Sequence, residues 1–115
     1  MITLYGIPNC NTVKKAKDWL TENNIEFSFH NFKKDGLDQA TLTPWVDTLG
    51  WEVLLNKRGT TWRKLPDETK ADVDKDKAIA IMLDNTSIIK RPVLAIDNDF
   101  YVAFKDEQYQ DIFNN

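Results

Sequence analysis

Strand, helix and strand follow one another within the first 32 residues, and this order constrains the fold more than any other feature of the chain. Residues 2–5 are apolar and favour a β-strand, and the Gly, Pro and Asn residues within 6–9 predict a tight loop after it. Over residues 11–24 apolar residues recur at helical spacing, and residues 26–32 alternate as in a second strand. About 30 residues is the size of a βαβ unit, whose two strands lie parallel in one sheet.

The middle of the chain is predicted to be helical, and its end to be a hairpin followed by a helix. Asp38 can cap a helix that ends at Gly50, although Pro44 within it favours a start nearer Thr43. The remaining predicted elements are, in order, a short apolar element at 53–55, a polar loop at 56–64, a helix at 69–85 broken near Asp74, strands at 92–96 and 100–104 around the turn Asp97-Asn98-Asp99, and a last helix capped by Asp106.

This order of elements predicts one α/β domain that spans residues 1–115, with a central mixed sheet and a helical insertion at about 37–86. A chain of this length can bury a single core, to which four Trp and six Phe bring large apolar side chains. The chain shows no internal repeat, linker or low-complexity segment, so we expect a single unit.

The charge and the single cysteine narrow the functional classes. A net charge of −3 gives no general attraction to nucleic acid, and no apolar run approaches the roughly 20 residues of a membrane-spanning helix. The first residues do not have the pattern of a secretory signal, and one Cys cannot form an internal disulfide, so a cytoplasmic location is expected. One Cys and one His cannot supply a closed set of metal ligands, so no metal site is expected.

Cys10 lies at the junction of the first strand and the first helix, and it is the predicted reactive centre. A thiol reacts as the thiolate, and a free Cys, with a pKa near ~8.5, is mostly protonated at neutral pH. The N–H groups and dipole at a helix start favour a negative charge, and Lys14 and Lys15 lie in the opening turns, so we expect the pKa of Cys10 to be lowered. The alternative is a small buried apolar residue, which is what most unpaired cysteines are.

Five segments, taken in order along almost the whole chain, resemble the arsenate reductase (ArsC)-like family of the thioredoxin superfamily. They are GIPNCNTVKKA at 6–16, GW at 50–51, LLN at 54–56, RGTTWRKL at 58–65 and IKRPVL at 89–94. Within that family the chain is most similar to the YffB-like branch, which is related to the Spx regulators. The loop around Cys10 is a weak signal by itself, whereas the segments together are specific.

The resemblance implies a thioredoxin-like fold in which a helical insertion separates a β-α-β half from a β-β-α half. It also implies that Cys10 is the nucleophile, and that a cis peptide bond between Arg91 and Pro92 places the Arg side chain beside the thiol. The residues alone would favour a trans Pro at the start of an edge strand, although X-Pro is the one peptide type with an accessible cis state.

The resemblance further implies an oxyanion site, because members that reduce arsenate hold it with several Arg side chains, whose guanidinium donors match tetrahedral oxyanions. Arg91 matches one of these positions. Arg58 lies in the segment of a second, although Asn56 is nearest in register, and Lys105 lies in the region of a third. In the basic run Lys57, Arg58, Arg63 and Lys64, Arg58 is the first choice for an anion contact and Arg63 the second, and solvated loop surface is the alternative for the whole run. The full anion-binding set that we expect is Asn11, Thr12, Lys14, Arg58, Pro92 and Lys105.

Two positions depart from the arsenate-reducing members. These members usually have a His a few residues before the Cys, where this chain has Gly6 or Ile7. They also have a Ser or Thr in the first turn, where this chain has Val13, although Thr12 remains as a hydroxyl. The differences favour a general thiol reaction over arsenate reduction. Val13 also takes the second position of Cys-x-x-Cys, the redox switch of many Spx regulators, which excludes an internal dithiol switch. His30 falls within the second strand and is expected to be solvated or structural rather than a catalytic base.

Two functions follow from these residues and this resemblance. The first is a cytoplasmic thiol oxidoreductase in which Cys10 attacks a disulfide or a small oxyanion such as arsenate, with glutathione as co-substrate and glutathione or a glutaredoxin-type protein as reductant. Such an enzyme holds no tightly bound cofactor. The second is a non-catalytic, Spx-like regulator that binds a protein partner such as RNA polymerase. Neither function requires direct binding to nucleic acid or to a membrane.

Overall fold

In the computed structural model, which describes residues 1–114, the chain divides into two units. Residues 1–31 and 91–114 form the first unit, and residues 32–90 form the second. The second unit begins before, and ends after, the helical insertion expected at about 37–86. Cys10 and Arg91 therefore belong to the same unit, whereas Arg58 belongs to the other.

The strands of the described residues all lie in the first unit and form one mixed sheet. They are β1 (Ile2–Gly6), β2 (Ser28–Asn31), β3 (Val93–Ile96) and β4 (Asp99–Val102). Their order is β2-β1-β3-β4, with β2 parallel to β1 and β3 antiparallel to both of its neighbours. The parallel pair, with the helix between its strands, confirms the βαβ unit predicted from the first 32 residues.

Helix α1 (Asn11–Glu22) connects the two parallel strands and buries the apolar face that its spacing predicts. Val13, Ala16 and Leu20 are buried, and their spacing of three and four residues places them on one side of a helix. The helix ends at Glu22 with Asn23 as its C-cap, and Asn24 follows with a positive φ of 58°. This end agrees with the stop that Asn23-Asn24 predicts in the sequence.

The core of the first unit lies where the sheet meets α1 and helix α8 (Asp106–Phe113). Leu4 of β1 and Leu94 of β3 pair directly across the sheet, and both are fully buried. Tyr109 of α8 is also fully buried, and its ring lies edge-on to that of Trp19 with centroids 5.5 Å apart. This dense packing fixes β1 and α1 against each other, and Cys10 lies between these two elements.

The second unit consists of short helices. They are α2 (Phe32–Asp35), α3 (Gln39–Leu49), α4 (Trp51–Leu54), α5 (Thr60–Arg63), α6 (Asp67–Lys70), α7 (Lys75–Asp84) and a 3₁₀ turn (Thr86–Ile88). Its core joins buried side chains of α3 and α7, among them Leu42, Trp45, Ile79 and Met82. Within residues 1–114, no helix combines the length and the apolar content that crossing a membrane requires.

Two predicted breaks are confirmed. The helical pattern at 69–85 is interrupted, and Asp74 caps α7 by accepting a hydrogen bond from the Lys77 N–H at 2.9 Å. The hairpin turns at Asp97 and Asn98, and its strands pair in antiparallel register with Ile96 opposite Asp99. Asp99, which we expected in the turn, belongs to β4.

The expected start of α3 near Thr43 is wrong. The helix begins at Gln39, because Asp38 caps it by accepting a hydrogen bond from the Thr41 N–H at 2.8 Å. Pro44 then lies inside the helix on its exposed side. A Pro there lacks one backbone donor, and the cap together with the buried face of α3 compensates for that loss.

Three other boundaries differ from the prediction. Phe32, expected at the end of the second strand, begins α2 and is buried in the second unit. The predicted loop at 56–64 contains the single turn α5. Lys105, and not Asp106, is the N-cap of α8, so Asp106 lies within the first turn, where its negative charge faces the positive end of the helix dipole.

Candidate active site

Cys10 occupies the N-cap of α1, immediately before the first helical residue. Its backbone is extended, with φ −114° and ψ 123°, and its carbonyl accepts the first helical hydrogen bond from the Lys14 N–H at 3.0 Å. The residue is half-buried. The predicted position at the junction of strand and helix is confirmed, and Cys10 is not the fully buried apolar residue of the alternative interpretation.

Three donors act on the sulfur of Cys10. A side chain at the N-cap faces the N–H groups two and three residues further on, which here belong to Thr12 and Val13. These two N–H groups carry positive partial charge and favour the thiolate over the thiol. The third donor is the Arg91 side chain, which hydrogen-bonds the thiol and brings a positive charge beside it.

The pKa of Cys10 is lower than that of an ordinary thiol. Burial is the largest single influence and raises the pKa, because a half-buried thiolate loses hydration. The Val13 N–H, the hydrogen bond from Arg91, the Thr12 N–H and the charge of Arg91 lower it, and together they outweigh burial. Cys10 consequently has a larger thiolate fraction at neutral pH than a free cysteine.

Lys14 and Lys15 do not have the role that we expected for them. Both side chains are exposed, and the pKa of Cys10 is lowered by the helix N–H groups and Arg91 instead. A charge on a long exposed side chain is screened by water and salt, whereas an N–H group in the first turn is held close to the sulfur. The prediction of a lowered pKa is correct, and the part of it that rested on the two lysines is wrong.

The peptide bond between Arg91 and Pro92 is cis, as the resemblance implied. Pro92 is buried, and its carbonyl accepts a hydrogen bond from the Ala103 N–H at 2.9 Å, just after β4. This hydrogen bond connects the segment before β3 to the residue that follows β4. Arg91 lies far from Cys10 in sequence, and the fold brings its side chain to the thiol.

The other expected anion-binding residues of the first unit lie near helix starts. Asn11 and Thr12 are the first two residues of α1, and the backbone N–H of Thr12 helps to lower the pKa of Cys10. Lys14 is exposed one turn into α1, and Lys105 is exposed at the N-cap of α8. That these side chains bind an anion stays a prediction.

Arg58 lies in the second unit, in the turn between α4 and α5, and is exposed. Its N–H donates to the side-chain oxygen of Asn56 at 3.1 Å, which shapes the turn. With Lys57 and Lys90, Arg58 lines an open cleft of about 440 Å³. Its side chain is available to an anion there, and its role toward the substrate of Cys10 stays a prediction.

Sequence reasoning missed one contact beside Cys10, between Gly6 and Val13. Both residues are buried, and a Cβ at Gly6 would lie 2.7 Å from a γ-methyl of Val13. The signal was present in part, because Val13 is one departure from the arsenate-reducing pattern and Gly6 is one of two candidate positions for the other. That Gly6 and Val13 touch follows only from the fold.

His30 lies on β2, directly opposite Tyr5 of β1, and the two rings have centroids 4.9 Å apart. This packing agrees with the structural role expected for His30. Within the described residues, no group of three or more His, Cys, Asp and Glu side chains is placed to hold a metal ion.

A family model described as the ArsC family matches residues 5–112 of the chain. The chain belongs to the ArsC family. The mixed four-stranded sheet with its flanking helices is the thioredoxin-like fold that the resemblance implied. In this ArsC-family chain, the matched residues include both Cys10 and Arg91.

Relatives of this ArsC-family chain extend over nearly its whole length. An uncharacterized protein of Haemophilus influenzae is 45% identical over 113 residues, which are 98% of this chain and 99% of that protein. A solved structure described as YFFB protein is 44% identical and superposes with a TM-score of 0.94 over 96% of this chain and 97% of that one. The global transcriptional regulator Spx 2 of Lactococcus lactis is 29% identical over 94% of this chain and 83% of that protein. The predicted YffB-like branch and its relation to Spx are both confirmed.

Proposed function

We propose that this ArsC-family chain is a cytoplasmic thiol oxidoreductase whose nucleophile is Cys10 and whose co-substrate is glutathione. One observation carries the proposal: the half-buried thiol at a helix start is acted on by two backbone N–H groups and by the Arg91 side chain. Such a setting supplies a thiolate for attack and positive charge near the sulfur that departs. The family, which is named for arsenate reduction, supports a reductase.

In the first step, the Cys10 thiolate attacks the glutathione sulfur of a disulfide between glutathione and a substrate thiol. A bond forms between the two sulfurs while the original S–S bond breaks, and its electron pair leaves on the substrate as a thiolate. The N–H groups of Thr12 and Val13 stabilise the attacking thiolate, and Arg91 offsets the negative charge that the departing sulfur acquires.

In the second step, a free glutathione thiolate attacks the glutathione sulfur now bound to Cys10. The new S–S bond releases glutathione disulfide, and the electron pair of the broken bond returns Cys10 to its thiolate. An external thiol is required, because Cys10 is the single cysteine of the sequence and Val13 stands where a resolving cysteine would be. A glutaredoxin-type protein could supply the same thiol.

Arsenate is the weaker candidate substrate. The chain has Gly6 or Ile7 where arsenate-reducing members usually have a His, and Val13 where they have a Ser or Thr, although Thr12 still carries a hydroxyl. Lys105 stands in the region of one of their Arg residues. A Lys supplies charge but not the two parallel donors that an Arg offers to a tetrahedral oxyanion. A disulfide needs neither the His nor the second guanidinium.

The proposal is tested by following Cys10 through both half-reactions. Intact-mass measurement after incubation with glutathione disulfide should show one bound glutathione on the native chain and none on Cys10→Ser. A glutathionylated peptide should then be reduced with reduced glutathione in excess, with glutathione disulfide measured by a coupled reductase. Parallel reactions with arsenate in place of the peptide distinguish the two substrate classes.

Two outcomes contradict this function. One is a native chain that forms no adduct with glutathione. The other is an adduct that free glutathione resolves no faster than it resolves the same adduct on the denatured chain. Arsenate turnover well above peptide turnover would instead assign the oxyanion as the substrate.

The second candidate is a non-catalytic regulator, which the 29% identity to an Spx regulator over most of the chain favours. In that case Cys10 would not be needed for the main interaction. Affinity capture with the native chain and with Cys10→Ser distinguishes the two functions. A stoichiometric protein partner, such as RNA polymerase, retained equally by both chains would support the regulator if peptide reduction is also absent.

A further inference from the structure

Gly6 and Val13 form a close contact between the end of β1 and the first turn of α1. A Cβ at Gly6 would lie 2.7 Å from one γ-methyl of Val13 and 3.3 Å from the other. Carbon atoms pack at about 3.5–4.0 Å, so position 6 has no room for a side chain while Val13 keeps its place.

Val13 cannot make that room by rotating its side chain. A β-branched residue in a helix has one strongly preferred χ1 rotamer, and Val13 is only 1% exposed, so the core surrounds its methyl groups. A side chain at position 6 would therefore push the first turn of α1 away from β1.

The same turn carries the N–H groups that act on Cys10. Burial raises the pKa of Cys10, and among the groups that lower it the Val13 N–H is the strongest, with the Thr12 N–H in the same turn. The hydrogen bond from the Lys14 N–H to the Cys10 carbonyl, at 3.0 Å, closes this turn. A displacement of Val13 consequently moves its N–H relative to the sulfur.

We propose that Gly6 is a positioning residue for the Cys10 thiol. Because Gly6 has no side chain, Val13 packs directly against β1, and this packing holds the first turn of α1 with its N–H groups toward the sulfur. The inference deepens the proposed function, since it rests on Cys10 as the nucleophile. Val13, which stands where arsenate-reducing members usually have a Ser or Thr, is one half of this apolar contact.

The test is a double-mutant cycle in which the ionisation and the reactivity of the Cys10 thiol are measured. Gly6→Ala should move the thiolate titration, followed by ultraviolet absorbance with Cys10→Ser as blank, to higher pH. Alkylation of Cys10 by iodoacetamide at neutral pH should slow by roughly threefold or more, because less thiolate is present. Val13→Ala keeps the backbone N–H and removes both methyl groups, so Gly6→Ala/Val13→Ala should titrate like Val13→Ala alone.

Leu20→Ala is the matched control for loosening of the helix. Leu20 is fully buried near the other end of α1, so its truncation lowers stability without touching the first turn. Its thiolate titration should equal that of the native chain. A purely structural role for Gly6 would make Gly6→Ala behave like Leu20→Ala.

The proposal is overturned if Gly6→Ala titrates like the native chain, or if the double variant keeps the whole shift of Gly6→Ala. If Gly6→Ala does not fold, the double variant decides: it folds and titrates like Val13→Ala when the contact is the cause, and any other result rejects the contact. No glutathione is present in these measurements. Failure of mixed-disulfide formation would therefore reject the proposed function and leave the result of the cycle standing.

Discussion

Cys10 acquires its chemistry from groups that differ widely in their distance along the chain. Thr12 and Val13 follow it directly, so a helix start after Pro8-Asn9 was sufficient to predict their N–H groups near the sulfur. Arg91 follows the helical unit in the sequence, and only the family resemblance indicated that it lies near Cys10. Local chemistry thus predicted the direction of the pKa shift. The cation that contributes to this shift, Arg91, reaches the thiol only through the tertiary fold.

Arg91→Gln should raise the pKa of Cys10, because it removes the charge and weakens the hydrogen bond that stabilise the thiolate. Thiolate absorbance against pH measures the shift, and the rate of peptide reduction should fall by roughly tenfold. Lys14→Gln is the matched control: it removes an exposed cation of α1 and should leave the titration unchanged. Equal shifts in the two variants would contradict the roles assigned to Arg91 and Lys14.

Tyr109 has a buried hydroxyl that makes no hydrogen bond within residues 1–114, and burial raises the pKa of this phenol. Tyr109→Phe keeps the ring packed against Trp19 and removes the unsatisfied group, so the free energy of unfolding should rise by about 1 kcal/mol. Urea unfolding measures this change. Tyr101→Phe, at a half-buried position, should change stability much less. A loss of stability in Tyr109→Phe would show that its hydroxyl has a bound partner.

Among the elements, those with a capping residue and a clear apolar period were predicted best. The helix at α1, the break before α7 and the hairpin all depend on residues next to them in sequence. Two predictions failed because other interactions outweighed a local signal. Pro44 lies within α3, because the Asp38 cap and the buried face of the helix together stabilise a start at Gln39. Phe32 continues the strand pattern in the sequence, but it begins α2 and is buried in the second unit.

Asp74→Ala should lower the free energy of unfolding by about 1 kcal/mol, because it removes the N-cap of α7 and leaves the Lys77 N–H without its acceptor. Asp84→Ala is the matched control at the other end of the same helix. Its carboxylate lies near the negative end of the helix dipole, so its removal should be neutral or slightly stabilising. Urea unfolding of both variants tests the cap, and equal losses would contradict it.

At the scale of the whole molecule, residues 1–114 divide into two units, and the residues with predicted chemistry are divided between them. Periodicity predicted a helical segment at about 37–86 between the two sheet-forming halves, and the second unit comprises residues 32–90. The membership of each unit depends on contacts between residues far apart in the chain, which periodicity does not encode.

The ionisation of Cys10 should also appear in the stability of the whole molecule. Its pKa is lower in the folded chain than in the unfolded chain, so the unfolded state binds more protons between the two values, and stability rises with pH across that window. The free energy of unfolding of the native chain minus that of Cys10→Ser should grow as pH increases toward the ordinary thiol pKa. It should level off at a constant value as pH falls below the folded pKa, because Cys10 is then protonated in both states. A difference that is flat or falls with increasing pH would contradict the lowered pKa.

The order of strands and helices, the start of α1 after Cys10 and the place of that thiol at the junction of strand and helix could all be predicted from the amino-acid sequence. Each of these follows from side chains within one or two turns of one another, where capping, apolar period and chain breaks act directly. That Arg91 rather than Lys14 acts on the sulfur, and that Gly6 and Val13 touch, follows only from the tertiary contacts. Such contacts depend on how β1, α1 and the segment before β3 pack, and a periodic pattern along the chain does not encode them.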